Sequence, residues 1–173
     1  MKEIKLNRGF VALVDDEDFE WLNQWRWFEN NGYARRTVNY TDSQDNKKTK
    51  SVFMHREIIQ LADSKLYTDH VNHNGLDNRK LNLRACTPMQ NAKNRIAYGT
   101  SRYLGVCRYK IETKYKNKKG KEKVYISTGF LAKIKTDGKY KYLGCSQDEI
   151  LAAKRYDEAA KKYHGEFANL NFK

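Results

Sequence analysis

Apolar residues in this chain come in short runs separated by polar turn formers, and the spacing within the runs changes along the sequence. Residues 9–15 (GFVALVD) read as a strand. The acidic run Asp15 to Asp18 then opens a short helix, DEDFEWLNQ, with its carboxylates where the helix dipole favours negative charge. Residues 25–29 (WRWFE) and 32–40 (GYARRTVNY) flank an Asn30-Asn31-Gly32 turn of the hairpin type. Residues 41–50 are a polar loop, and 51–62 (SVFMHREIIQLA) pass from strand into helix. Residues 66–71 (LYTDHV) predict a strand entering a loop, NHNGLDNRK, rich in turn formers. Residues 81–86 (LNLRAC) follow as a second strand. Residues 87–97 (TPMQNAKNRIA) then predict a helix with Thr87 as N-cap and Pro88 at the first helical position, where its missing N–H costs nothing. The order strand, loop, strand, helix is a ββα unit.

Residues 97–101 (AYGTS) read as a linker. Beyond it, 103–110, 124–135 and 139–144 are strand candidates. A lysine-rich loop at 112–123 (ETKYKNKKGKEK) lies between the first two, and Asp137-Gly138 turns between the last two. The chain then predicts a helix with Ser146 and Glu149 as a capping-box pair and Gly165 as its stop. Ala153, Tyr156, Ala160 and Tyr163 recur at helical spacing as one packing face. The fold class expected is α+β.

Composition adds where these elements act. The 173 residues carry a net charge of +13. Residues 99–145 hold 13 Lys+Arg against 3 Asp+Glu, whereas 146–173 balance at 5 against 5. An excess confined to one segment predicts a polyanion-binding face. Nucleic acid is favoured over a membrane surface, because no basic amphipathic helix with an apolar insertion face accompanies the charge. No run approaches the roughly 20 apolar residues of a membrane span, and no secretory signal pattern opens the sequence. Cys86, Cys107 and Cys145 form no CxxC pair, so neither a disulfide framework nor a four-ligand zinc site is predicted. The chain reads as intracellular.

The segment with most chemistry is 68–91, TDHVNHNGLDNRKLNLRACTPMQN. In a ββα unit, Asp69 and His70 stand at the end of the first strand and Asn91 in the helix that packs back on it. A carboxylate and an amide carbonyl are hard oxygen ligands of the kind that suit Mg²⁺ or Mn²⁺. An imidazole beside them, with an unperturbed pKa of about 6.5, suits proton abstraction from water. Asn72, Asn74, Asp77 and Asn78 are expected to shape turns, His73 to be a loop residue, and His55 to pack or to contact phosphate. The free cysteines are expected to fill the core.

The pattern DHVNHNGLDNRKLNLR followed by TPMQNAKN resembles the HNH (ββα-metal) nucleases, in the variant found among phage and mobile-intron homing endonucleases. The resemblance covers most of 1–97, with the metal core at about 66–97, and it includes MHREII at 54–59. It implies a metal-dependent DNA endonuclease holding one Mg²⁺ (or Mn²⁺) per active site. Asp69 and Asn91 would be metal ligands, His70 the general base, and Asn82 the brace of the loop that positions it. The last histidine of the usual motif is an asparagine here, which favours an oxygen-ligated ion over zinc.

The second half has a resemblance of its own. SRYLGV, FLAKIKTDGKYKYLG and AAKRYDEAAKKYHGEFANLNF resemble an AP2-type DNA-binding domain, three antiparallel strands packed on one helix, over 103–173 with a linker at 98–102. By family position the DNA face would hold Tyr109, Lys133, Lys135, Tyr140 and Tyr142. Lys118, Lys119, Lys121 and Lys123, in a loop longer than the family needs, are expected on phosphates. The partner implied is double-stranded DNA, for a monomer or weak homodimer with no membrane attachment. The alternative from another class is a DNA-binding regulator with an inert nuclease half. An RNA-binding protein is disfavoured by the absence of RRM or KH signatures.

Overall fold

In the computed structural model, which describes residues 1–61, 63–97 and 99–172, the chain opens with an antiparallel pair, β1 (Lys2–Lys5) and β2 (Val11–Val14). Helix α1 (Asp16–Asn23) follows, with Asp16, Glu17 and Asp18 in its first turn. β3 (Phe28–Asn30), β4 (Tyr33–Thr41) and β5 (Lys47–Phe53) form a three-stranded antiparallel sheet in that order. Asn31 and Gly32, at φ 50° and 82°, make the turn from β3 into β4. Helix α2 (Met54–Ile59) leads to a second pair, β6 (Tyr67–His70) and β7 (Leu83–Cys86), and then to the four-residue helix α3 (Pro88–Asn91). Trp27, Leu22, Ile4, Val14, Ala34, Met54 and Leu83 form one core beneath these elements. Trp27 is wholly enclosed and its indole N–H donates to the Leu22 carbonyl (2.9 Å), so a large apolar body is buried without stranding its polar atom.

The second half is β8 (Val106–Lys116), β9 (Glu122–Thr136) and β10 (Lys139–Ser146), antiparallel with β9 central, followed by α4 (Glu149–His164). Val106, Ala132 and Ile134 on the sheet meet Ala152, Ala153, Tyr156 and Ala160 on the helix. The small alanines let α4 approach the sheet closely, as its expected packing face requires. The chain divides into two compact units, Met1–Asn91 and Ala92–Lys173. Asn169 donates to the Arg95 carbonyl (2.5 Å), which ties the stretch after α3 to the second unit.

Several boundaries differ from the sequence expectation. The helix expected over 87–97 ends at Asn91: Thr87 and Gln90 close a reciprocal capping box (2.8 and 3.2 Å), but the large apolar residue beyond it, Ile96, is exposed and supplies no packed face to hold further turns. The cap of α4 is Asp148, whose carboxylate accepts from the Ile150 N–H (2.8 Å), while Ser146 accepts from Asp148 instead. Most of the loop expected at 112–123 is strand, leaving only 117–121 as turn. β5 begins at Lys47 within the loop expected at 41–50. Of the expected helix and linker residues, Ala62 and Tyr98 lie outside the described residues, as does Lys173.

Candidate functional site

Asp69 and His70 are the last two residues of β6 and both are buried. The register sets Asp69 opposite Arg84 and His70 opposite Leu83. Past His70 the chain enters a loop held by its own asparagines. Asn72 and Asn74 accept from backbone N–H groups two residues on (2.9 and 3.1 Å). Asn82 joins the loop's two ends: its Oδ1 accepts from the Asn72 N–H (3.0 Å), its Nδ2 donates to the Asp77 carbonyl (2.8 Å), and its own carbonyl accepts from the Val71 N–H (2.9 Å). The loop is also stitched to β2, where Leu13 bonds Leu76 and Asn78 (2.8 Å each). Asp77 does more than shape a turn. It is almost wholly buried and holds Arg79 by two hydrogen bonds (2.7 and 2.6 Å), and that guanidinium pulls its carboxyl below the usual range. Asn78, wholly buried, donates its backbone N–H to the Leu13 carbonyl and sets its side chain against the His70 ring, which goes beyond shaping a turn.

Asn91 is the exposed last residue of α3, a turn that packs against both β6 and β7. The Arg84 guanidinium, which the motif did not point to, donates through Nε and Nη2 to Oδ2 of Asp69 (2.8 and 2.6 Å). It holds the carboxylate in one orientation by two charge-assisted bonds. Among the described residues no three His, Cys, Asp or Glu side chains gather as a metal cage. The expected ligands, Asp69 and Asn91, would offer one carboxylate and one amide oxygen. Such oxygens suit an ion that keeps several waters and takes further oxygens from a phosphate, as Mg²⁺ does, and do not suit a structural zinc.

A second histidine stands at the site. His55, in the first turn of α2, meets the His70 ring edge-on with centroids 5.1 Å apart. It stacks on Phe53 (5.5 Å), and Tyr33 touches both histidines (5.5 and 5.7 Å). Burial, with smaller contributions from His70 and Arg56, pushes His55 down to about 3. Burial also lowers His70, against the opposing pull of Asn78, Asp69 and Asp77, so both rings stay neutral at physiological pH. His55 comes from the β5–α2 junction and Tyr33 from β4, so only the tertiary fold brings them to His70. Gly75 completes the enclosure: a Cβ there would lie 2.4 Å from the Gly32 carbonyl and 2.7 Å from the Tyr33 ring.

In the second unit the register sorts the side chains. Val106, Ala132 and Ile134 face α4. The residues between them, Lys133 and Lys135 with their partners Tyr142 and Tyr140, face the other way, and Tyr109 lies on that same side opposite Gly129. Lys133 and Lys135 sit over the Tyr140 ring (4.9 and 5.9 Å), so the lysines and tyrosines form one surface. Lys118, Lys119 and Lys121 are exposed in the β8–β9 turn, with Lys123 just inside β9. Cys86 is buried as expected, but Cys107 is only half-buried and Cys145 is exposed on the outward face opposite Leu131.

Among known proteins the chain is similar to an uncharacterised HNH endonuclease of Acanthamoeba polyphaga mimivirus. The two are 28% identical over 169 residues, 95% of this chain and 76% of that protein. The similarity supports an HNH nuclease. At that coverage it extends through both units. No protein-family model matches the chain, and no solved structure gives a significant match. No helix among the described residues is long and apolar enough to cross a membrane.

Proposed function

We propose that the chain is a metal-dependent DNA endonuclease of the homing HNH type, hydrolysing phosphodiester bonds in duplex DNA at a site recognised through its AP2-like second unit. The observation that carries this reading is the end of β6, where a buried Asp69 and His70 adjoin a loop whose two ends are joined by Asn82. The HNH relative supports it. Burial keeps the His70 ring neutral, and a neutral imidazole accepts a proton from the attacking water. The water oxygen bonds to phosphorus, the bond to the 3′-oxygen breaks, and that oxygen leaves with a proton, giving a 5′-phosphate and a 3′-hydroxyl. Asn82 fixes the loop's path, so that the ring approaches the reacting phosphate from one direction. Arg84 fixes the Asp69 carboxylate. Asp69 and Asn91 would hold Mg²⁺ or Mn²⁺, which bound there supplies positive charge to a phosphate whose negative charge rises in the transition state. Lys133, Lys135, Tyr109, Tyr140 and Tyr142 form the DNA face, with Lys118, Lys119, Lys121 and Lys123 on phosphates. Tyrosine and lysine make few bidentate base contacts, so sequence discrimination is modest and draws on DNA shape.

Supercoiled plasmid at low salt tests the reading, with Mg²⁺ in one set of reactions and EDTA in another and a gel shift alongside. The expected result is open-circle product with Mg²⁺ alone and a DNA shift in both. A shift without cleavage in any divalent metal, on supercoiled or target-library DNA, would make the chain a DNA-binding regulator. One active site per chain predicts nicks; double-strand breaks require two chains or two events.

A further inference from the structure

β8 and β9 continue where the three-stranded sheet stops. β10 pairs with β9 only from Phe130 to Thr136, whereas β8 and β9 stay paired from Lys110 and Thr128 out to Lys116 and Glu122. The outcome is a two-stranded arm of seven cross-strand pairs, roughly 23 Å long at about 3.3 Å per residue. Its end is a built turn. Asn117 Oδ1 accepts from the Lys119 and Lys121 N–H groups (3.0 Å each), and Gly120 turns at φ 75°.

An isolated two-stranded ribbon is marginal in water, and this one hides little of its own apolar surface. Ile111, Tyr115, Val124, Tyr125 and Ile126 are each at least half exposed, between 50% and 62%. The arm also carries Lys110, Lys114, Lys116, Lys118, Lys119, Lys121 and Lys123 against only Glu112 and Glu122, and Glu112 is already paired with Lys110 (2.8 Å). Lysines along a ribbon discourage edge-to-edge pairing, but that role does not account for the three at the tip, where there is no strand edge to guard. Nor does it account for the exposed aromatics. A second copy of the chain would bring the same positive charge, so the surface is complementary to a polyanion. The register fixes which side meets it: Ile111, Thr113 and Tyr115, with Tyr125 and Ser127 opposite, lie on the same side as Tyr109, Tyr140 and Tyr142.

We infer that the arm is a second duplex-DNA contact, continuous with the sheet face, laying Tyr115 and Tyr125 along a groove and setting the tip lysines on flanking phosphates. The inference rests on the reading of the second unit as DNA-binding and assigns that unit a longer footprint. The major groove is wide enough to take a two-stranded ribbon, and the arm's length corresponds to about 7 base pairs at roughly 3.4 Å each.

The test uses the full chain and a 40-base-pair duplex of arbitrary sequence. In K118Q/K119Q/K121Q, the slope of log K against log salt concentration should fall in magnitude by about 2.7, at roughly 0.9 per phosphate contact, and low-salt affinity should drop more than tenfold. A second variant, with 112–126 replaced by Asn-Gly, loses five of the seven pairs and should occlude up to about 5 fewer base pairs per bound protein, given the same rise. Unchanged slope and site size, with duplex binding and plasmid nicking intact, would overturn the arm's role and leave the nuclease reading standing. A wild-type protein with no affinity for duplex DNA would overturn both. Preferential binding of single strands that is lost in Y115A/Y125A would make the arm a stacking platform for unpaired bases, and the duplex assignment would be wrong.

Discussion

His55 lies outside the 68–91 segment, yet it bounds the environment of His70. Enclosed by Phe53, Tyr33 and His70, it remains uncharged because protonation would put a cation in a desolvated site beside another imidazole. Its folded pKa of about 3 lies below the ordinary 6.5. The stability it contributes is therefore fully present above 6.5 and is lost as the pH falls toward 3. Within that window the loss is on the order of 1 kcal/mol per pH unit. Urea unfolding of wild type and His55→Gln between pH 7 and 4 should give a shallower pH dependence in the variant; equal slopes would mean that His55 is not buried as described. The burial of Asp69, His70 and Asn82 around one loop was legible because their identities and spacing form a motif, which also proposes Asn91. Arg84 was hidden because its role depends on the β6–β7 register, which places it opposite Asp69. His55 and Tyr33 were hidden because ring contacts between distant segments leave no local pattern.

The β8–β10 sheet and α4 meet through a contact that one glycine permits. Gly105 has φ 74°, and a Cβ there would lie 1.9 Å from the ring of the buried Tyr156. Gly105→Ala therefore combines a disfavoured backbone with an overpacked core and should cost about 2–4 kcal/mol in urea unfolding. A loss under about 0.5 kcal/mol, within the range of an ordinary surface substitution, would contradict this packing. At this scale the turns were the most readable features. Asn31-Gly32 and Asp137-Gly138 adopt the positive φ values that their residue types tolerate, so local chemistry fixed both hairpins. Residues 112–123 of the arm have the composition of a loop, with Lys in half of the positions. The alternation beneath that composition, Ile111, Thr113 and Tyr115 on one side and Lys110, Glu112 and Lys114 on the other, is that of a strand. The helix expected to run to 97 stopped at Asn91, since a good cap starts a helix but only packing extends it.

Across the whole molecule, charge and chemistry are divided between the units. The buried Asp69 and His70 belong to the first, while most of the net charge of +13 lies in the second. The closing sequence marks of the second unit have a structural reason. Asp157 accepts from the Asn171 and Phe172 N–H groups (2.9 Å each), and Asn171 bonds both the N–H and the carbonyl of Leu104 (2.6 and 3.1 Å). Tyr-Asp-Glu-Ala-Ala and Ala-Asn-Leu-Asn-Phe thus clasp the C-terminal stretch to the segment leading into β8. The proposed role of His70 as the base of a phosphodiester hydrolysis is read in the nicking rate of His70→Ala against wild type in Mg²⁺, on preparations matched for unfolding midpoint and DNA affinity. Loss of a general base predicts a rate about 10²- to 10⁴-fold lower with the DNA shift retained. Nicking at the wild-type rate in that variant would contradict the assignment and put the active site elsewhere on the molecule.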